Sequence, residues 1–416
     1  MRRGGVKVSY IFPQFLVPSQ AFALSDILAL KNDGHAVTVY TIKPPAKNQR
    51  QLDLERGIPP DLPVMRPALG GTARWLKLCW RSRAVLWQLS GKILKNIRRQ
   101  PRAALGALLA LPRCAEIAEH ISTQAPDVVH LFWSRHASLI FPILKSRHSL
   151  VLRSAFVGAY DLVADDFLTR MAIEEADVLF THAEANRPYL SRRAQASMPL
   201  NVVHRGIPIS IDAADSPQRD RNLWLTAAAL YPAKNVAATI RAFARAYGHN
   251  ADLRLEIFGD GPDRARLEKL AVALVPDSAV RFWGHVSREN LMARMQQAAL
   301  FLLLSTKPSE RLPNVIKEAM LAGCSIIVSQ SEGIEELIPD TALGKIVNAD
   351  DEPAIDRAVA ELAGEPADAA AVRRTAARHL IEQKFSAAHS MQQYCAAWAA
   401  ARSAADGPAL PMGTAE

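Results

Sequence analysis

Two series of short apolar runs, each run separated from the next by a helical pattern, limit the fold more than any other feature of this chain. In the first half the runs are VKVSYIF (6–12), HAVTVYTI (35–42), DVVHLFW (127–133), SLVLRSA (149–155), DVLFTH (177–182) and NVVH (201–204). The second half repeats the pattern with LWLTAAAL (223–230), LRLEIFG (253–259), AVRFWG (279–284), ALFLLLS (299–305), SIIVS (325–329) and GKIV (344–347). Runs this apolar suit strands buried on both faces, and intervening helices such as 19–34 let successive strands run parallel. The expected fold class is α/β, with two doubly wound, Rossmann-like domains facing each other across a cleft. The first would span 1–208, a polar linker 209–222 and the second domain 223–375. A helical region, 376–404, would pack back toward the first domain, and 405–416 would form a tail.

A chain of 416 residues is too long for one ordinary core, in keeping with two domains. AALGALLAL (103–111) is about half the length needed to span a bilayer. Pro13 and Gln14 interrupt the apolar run behind the basic start, so the opening reads as a strand, not a signal peptide. The cysteines at 79, 114, 324 and 395 lack metal-ligand spacing and suit reduced cytosolic thiols.

Polar residues gather where chemistry is expected in such folds, beyond the carboxyl ends of the strands. Lys234 follows 223–230, Gly259 closes 253–259 with Asp260 and Gly261 after it, His285 follows 279–284 and Glu310 follows 299–305. Any one of these alone reads as ordinary loop chemistry; their placement at successive strand ends marks a site. The stretch SERLPNVIKEAMLAGCSIIVS (309–329) adds Glu318, eight residues after Glu310, with Leu312, Pro313 and Asn314 between them. Pro313 suits the first turn of a helix, and backbone amides at a helix start favour oxygen-rich ligands.

Glu310 and Glu318, the AM-x-x-G helix end and the following EGIEELI (332–338) resemble the signature of retaining glycosyltransferases of GT-B fold, family 4 type. AALYPAKNVAATIRAFA resembles that family's donor-binding lysine segment, and FPQFLVPSQAFALSDILALKNDGHAVTVYT resembles the start of exopolysaccharide and colanic-acid-type transferases. The resemblance spans nearly the whole chain and is closest over about 224–340. It implies a nucleotide-diphosphate sugar as donor, with Lys234 neutralising the diphosphate, Glu310 at the transferred sugar and Glu318 at the ribose hydroxyls. Leu312, Pro313, Asn314, Gly259, Asp260 and His285 would complete the donor side, and His130 and Asp161 are candidates for the acceptor side. No cofactor is expected, and no metal, since the chain has no Asp-x-Asp triplet. The family's arginine ahead of the lysine is replaced by Ala229, leaving Arg311 or Arg205 as substitutes, and the family's acceptor-side histidine has no counterpart in LRSAFVGAYDL (152–162).

The charge is uneven in a way that needs a local cause. Between Asp61 and Glu116 there is no acidic residue and eleven Lys or Arg, against a net charge of +9 for the chain. On a helix over 74–99, Arg74, Lys77, Arg81, Lys92, Lys95, Arg98 and Arg99 share one side. Trp75, Cys79, Leu86, Leu89, Ile93 and Ile97 share another, only Arg83 is misplaced, and Trp80 and Trp87 lie in the same segment. A basic face beside a tryptophan-bearing apolar face describes a helix lying on an anionic membrane surface; the alternative is an apolar face packed on the first domain. Nucleic acid is not expected, for want of any binding motif. The implied protein acts at the cytoplasmic, inner face of the inner membrane, on a polyprenyl-diphosphate-linked saccharide acceptor in polysaccharide biosynthesis. Two alternatives stay open at this point: a catalytically silent sugar-nucleotide-binding or assembly protein, and an epimerase of the same fold.

Overall fold

The structure, a computed structural model, describes residues 5–15, 21–66, 80–147, 150–209 and 219–405. It divides into two compact units, one of Met1–His204 with Ala387–Glu416, the other of Arg205–Ser386.

The first unit is built on a parallel sheet of β1 (Lys7–Phe12), β2 (Ala36–Thr41), β3 (Val64–Met65), β4 (Val128–Phe132), β5 (Leu152–Phe156), β6 (Val178–Thr181) and β7 (Leu200–Val202). Its order is β3-β2-β1-β4-β5-β6-β7, so the chain crosses over after β3 and continues outward from β4. The strand β3, two residues long, is the one element of this sheet that apolar patterning does not announce.

The helix Ala387–Ala405 also belongs to this unit. Its Met391, Tyr394 and Trp398 are buried with Val8, Tyr10, Phe132 and Phe180, while the helix packs along Ala21–Asn32. Trp398 Nε1 donates to Ser154 Oγ at 2.8 Å, which satisfies the one polar atom of a side chain that is only 1% exposed. The preceding helix, Ala367–Lys384, stays with the second unit, so the helical region expected as one body over 376–404 is split at Phe385.

The second unit carries a parallel sheet of β8 (Asp220–Ala227), β9 (Arg254–Phe258), β10 (Val280–Gly284), β11 (Ala298–Leu303), β12 (Ser325–Ser329) and β13 (Lys345–Val347). The order is β10-β9-β8-β11-β12-β13, with β8 and β11 at the reversal. Most of the linker expected at 209–222 (residues 210–218) lies outside the described residues, and β8 already begins at Asp220.

The basic segment has a definite place for its described part. A helix runs from Arg83 to Asn96, and Val85, Leu89 and Ile93 are buried against the long helix Pro101–Gln124 and the core behind it. For Leu89 and Ile93 this is the alternative of an apolar face packed on the first domain, while Ile97 is exposed. Core packing claims a helical stripe of i, i+4, i+8, and the tryptophans are left outside it. Trp80 is 69% and Trp87 83% exposed. Arg74, Trp75 and Lys77 lie outside the described residues.

Trp398→Ala removes a fully buried indole, so it should cost about 3–5 kcal/mol of the first unit's stability. Denaturant unfolding followed by circular dichroism should show an earlier transition for that variant.

Candidate functional site

Three backbone ties draw the carboxyl-end loops of the second unit together. Ala228 N donates to Phe258 O at 3.0 Å, Leu230 N to Asp260 O at 2.9 Å, and Gly259 N to Gly284 O at 2.7 Å. Glycine is required at 259: its φ is +114°, and a Cβ there would be driven into the carbonyl of Ala228. A fourth tie crosses the sheet's reversal point. Thr306 N donates to Ala233 O at 2.9 Å and Ser305 Oγ to the same oxygen at 3.1 Å, so the turn Pro232–Lys234 is fastened to the loop after β11.

That fastening brings Lys234 and Glu310 together. Lys234 Nζ donates to Glu310 Oε1 in an ion pair whose side chains are only 12% and 14% exposed. The other carboxylate oxygen, Glu310 Oε2, is buried with no hydrogen-bond partner among the described residues. Such an oxygen carries an unmet desolvation cost. A ligand hydroxyl would meet it.

Glu318 lies farther along the same segment, within the helix Asn314–Ala322. Arg288 Nε donates to Glu318 Oε1 at 2.7 Å, and Arg288 Nη2 to Pro208 O at 3.1 Å. Arg288 is the residue that sequence reasoning missed. Its only signal was position, since it opens the helix after His285, and Ser287 caps that helix by accepting from Asn290 N at 3.3 Å. Pro313 stands at the N-cap, with φ −63° and ψ 126°, one place earlier than the first-turn position expected for it. Having no N–H, it leaves donation to the amides of Leu312, Asn314 and Val315, since Ile316 N already donates to Pro313 O at 3.1 Å. Asn314 Oδ1 instead receives the buried Lys317 Nζ at 3.1 Å, and Lys317 also donates to Arg205 O at 2.7 Å.

The remaining candidates are dispersed. Asp260 is exposed and bonds Gly261 N at 2.7 Å and Arg264 at 3.2 Å, and His285 is exposed at the end of β10. Arg311 is 4% exposed and pairs with Glu332 at 2.5 Å, so its charge is already committed within the unit. Arg205 lies half-buried at the start of the unit. In the first unit His130 is 1% exposed, bonded to Ser154 Oγ at 2.8 Å and ringed by Tyr10, Tyr394 and Trp398. Asp161 is buried and accepts from Gly158 N at 3.0 Å, holding the start of the helix Ala159–Ala164. Both lie buried in the unit's interior.

Lys92, Lys95, Arg98 and Arg99 are exposed, and Arg81 reaches Glu119 at 3.3 Å. No helix among the described residues is long and apolar enough to cross a membrane, and none of those residues forms a cluster suited to a metal ion.

Residues 210–379, the stretch that holds this constellation, match the family model "Glycosyl transferases group 1". Together with two parallel-sheet α/β domains, that match defines a glycosyltransferase with the GT-B fold. Among individual proteins, the chain is 26% identical over 304 residues to the alpha-D-kanosaminyltransferase of Streptomyces kanamyceticus, covering 69% of this chain and 74% of that one. It is 22% identical to WcaL of Salmonella typhimurium, named as a colanic acid biosynthesis glycosyltransferase, over 92% of this chain and 96% of that one. Among solved structures, HepE of Anabaena in complex with UDP-glucose superposes with a TM-score of 0.67 at 15% identity, covering 95% of this chain and all of the other.

Gly259→Ala should destabilise the second unit by about 1–3 kcal/mol through backbone strain alone. Thermal unfolding of that variant beside Gly261→Ala, whose Cβ would meet the carbonyl of Leu230, should show both lowered.

Proposed function

We propose that this glycosyltransferase moves a sugar from a nucleotide-diphosphate donor to a lipid-linked saccharide, with retention of anomeric configuration, in the building of a cell-surface or exported polysaccharide. The observation that carries the reading is the buried Lys234–Glu310 pair with Glu310 Oε2 unmet. In this reading the second unit holds the donor and the first the acceptor. HepE, solved in complex with UDP-glucose, and WcaL, named for colanic acid, support the donor class and the polysaccharide context.

The chemistry follows from where charge develops. As the bond from the anomeric carbon to the diphosphate breaks, negative charge builds on the leaving oxygens, and the Lys234 ammonium neutralises it in a site that excludes water. Glu310 Oε2 accepts a hydroxyl of the transferred sugar and sets its orientation relative to that ammonium. Glu318 accepts the ribose hydroxyls, and Arg288 holds its carboxylate for that task. The amides of Leu312 and Asn314 donate to donor oxygens. The acceptor hydroxyl attacks on the face the diphosphate leaves, and its proton passes to the departing phosphate oxygen. None of these steps calls on a metal.

The exposed surface of the helix Arg83–Asn96 supports docking on an anionic bilayer. Trp87 and Leu94 are open to solvent beside Lys92, Lys95 and Arg98, in a segment free of acidic residues from 62 to 115. Each basic residue at such a surface contributes about 1 kcal/mol.

Lys234→Ala and Glu310→Gln should each lower kcat about 100- to 1,000-fold with the fold intact. Arg288→Ala should act on donor KM more than on kcat. The donor is found first by a thermal-shift screen across nucleoside diphosphates, and transfer is then assayed with the matching nucleotide sugar. Full activity in Lys234→Ala overturns the assignment. In a separate measurement, the protein should cosediment with phosphatidylglycerol vesicles and be released by salt, and Trp87→Ser with Lys95→Glu should weaken binding. Equal binding to neutral vesicles argues against the membrane reading.

A further inference from the structure

At the opposite end of the second unit's sheet, below the amino-terminal starts of β8, β11 and β12, lies a cavity of about 550 Å³. It falls within the size range of small-molecule sites. Trp224 and Leu300 supply apolar lining, and one face of the helix Ala367–Lys384 supplies a wall through Ala370, Ala371, Arg374 and Arg378. The cavity is strongly cationic. Arg219, Arg221, Arg374 and Arg378 all line it, and Glu365 is the one carboxylate among the described residues that does.

Among the described residues the existing partners compensate only part of that charge. Glu365 is taken by Arg373, with contacts between 2.5 and 3.3 Å, and Arg378 is paired with Glu382 at 3.1 Å. Arg219 has no carboxylate at all among the described residues. It donates to the carbonyls of Met295 at 3.1 Å, Ala298 at 2.8 Å and Ala322. Arg221 and Arg374 form no ion pair among the described residues, and Arg374 is half-buried. Burial, followed by repulsion from Arg373, pushes the Arg374 guanidinium below its ordinary range. Burial does the same to Arg219, with Arg374 and Arg378 adding to the effect. Lysines would serve a diffuse positive field as well. Arginines in a walled cavity match the paired oxygens of a phosphate group, each offering two parallel N–H donors.

We infer that this cavity is a second binding site, for a small molecule bearing a phosphate group, in which Arg221 and Arg374 make the principal contacts. It is separate from the donor site: β11 runs six residues from this end of the sheet toward the Glu310 loop, a length of about 20 Å. The inference does not rest on the assigned donor chemistry. The two sites are linked through the helix Asn314–Ala322, which carries Glu318 and ends at the carbonyl that Arg219 holds.

The test titrates the full chain with inorganic phosphate, inorganic pyrophosphate and glucose 6-phosphate by calorimetry, at constant ionic strength set with chloride. Lys234→Ala is the background, which removes the ammonium assigned to the diphosphate at the carboxyl end. Saturable binding of at least one probe is expected there. The added pair Arg221→Ala and Arg374→Ala should weaken it at least tenfold, and the corresponding lysine pair should lose less. Preference among the three probes separates a bare phosphate site from one shaped for a sugar phosphate. If the alanine pair fails to fold, Arg221→Ala alone serves, since that side chain is exposed at the start of β8. No saturable binding in the Lys234→Ala protein, or binding unchanged by removal of the arginines, overturns the proposal.

Discussion

Everything chemical in the second unit depends on β8 and β11 being neighbours. After β10 the chain crosses back over the sheet and lays β11 on the far side of β8, so loops separated by some 76 residues meet at one point. Parallel pairing fixes the direction of both strands, which forces both loops to the same edge. The Ala233 carbonyl, shared by Thr306 and Ser305, then sets their separation. Lys234 and Glu310 come within ion-pair distance because the backbone leaves them no other place. A buried pair of this kind is a poor source of stability, since desolvating both charges offsets most of their attraction. With one oxygen of Glu310 unmet, it is better understood as a site held ready.

Many of the strands could be read directly because a strand covered on both faces is apolar at every position. LFLLLS and SIIVS are legible without any periodicity. Two-residue β3 had no such run. It owes its pairing to Val39 and Tyr40 of β2, a neighbour that no local pattern names. Lys234 and Glu310 were legible as strand-end residues, although their contact was not, because it depends on the order of strands. Arg288 was invisible for a related reason: what marks it is Glu318, thirty residues away on another helix.

Some candidate residues have chemistry that the fold uses internally. His130 sits at the third position of a strand buried throughout. There an imidazole packs against aromatic rings and gives its polarity to Ser154. The 74–99 wheel left open whether its apolar face meets a membrane or the first domain, and Pro101–Gln124 covers Val85, Leu89 and Ile93. Burial of that stripe leaves Trp87 among lysines and arginines, an arrangement that core packing does not require.

The helix Asn314–Ala322 joins these observations. Its amino-terminal end opens beside Glu310 with amides that lack intrahelical acceptors, where the dipole favours anionic or oxygen-rich groups. Its carboxyl-terminal carbonyls, which favour cations, are met by Arg219, and Gly323 leaves room for that guanidinium: a Cβ there would lie 2.5 Å from Arg219 Nη2. The positive end is thus left free for a ligand while the negative end is neutralised by a side chain from the start of β8. A nine-residue helix is about 14 Å long, too short to hold its place by its own hydrogen bonds in water. Anchoring one end to the sheet through Arg219 lets the other end, with Glu318 between them, present fixed donors and acceptors.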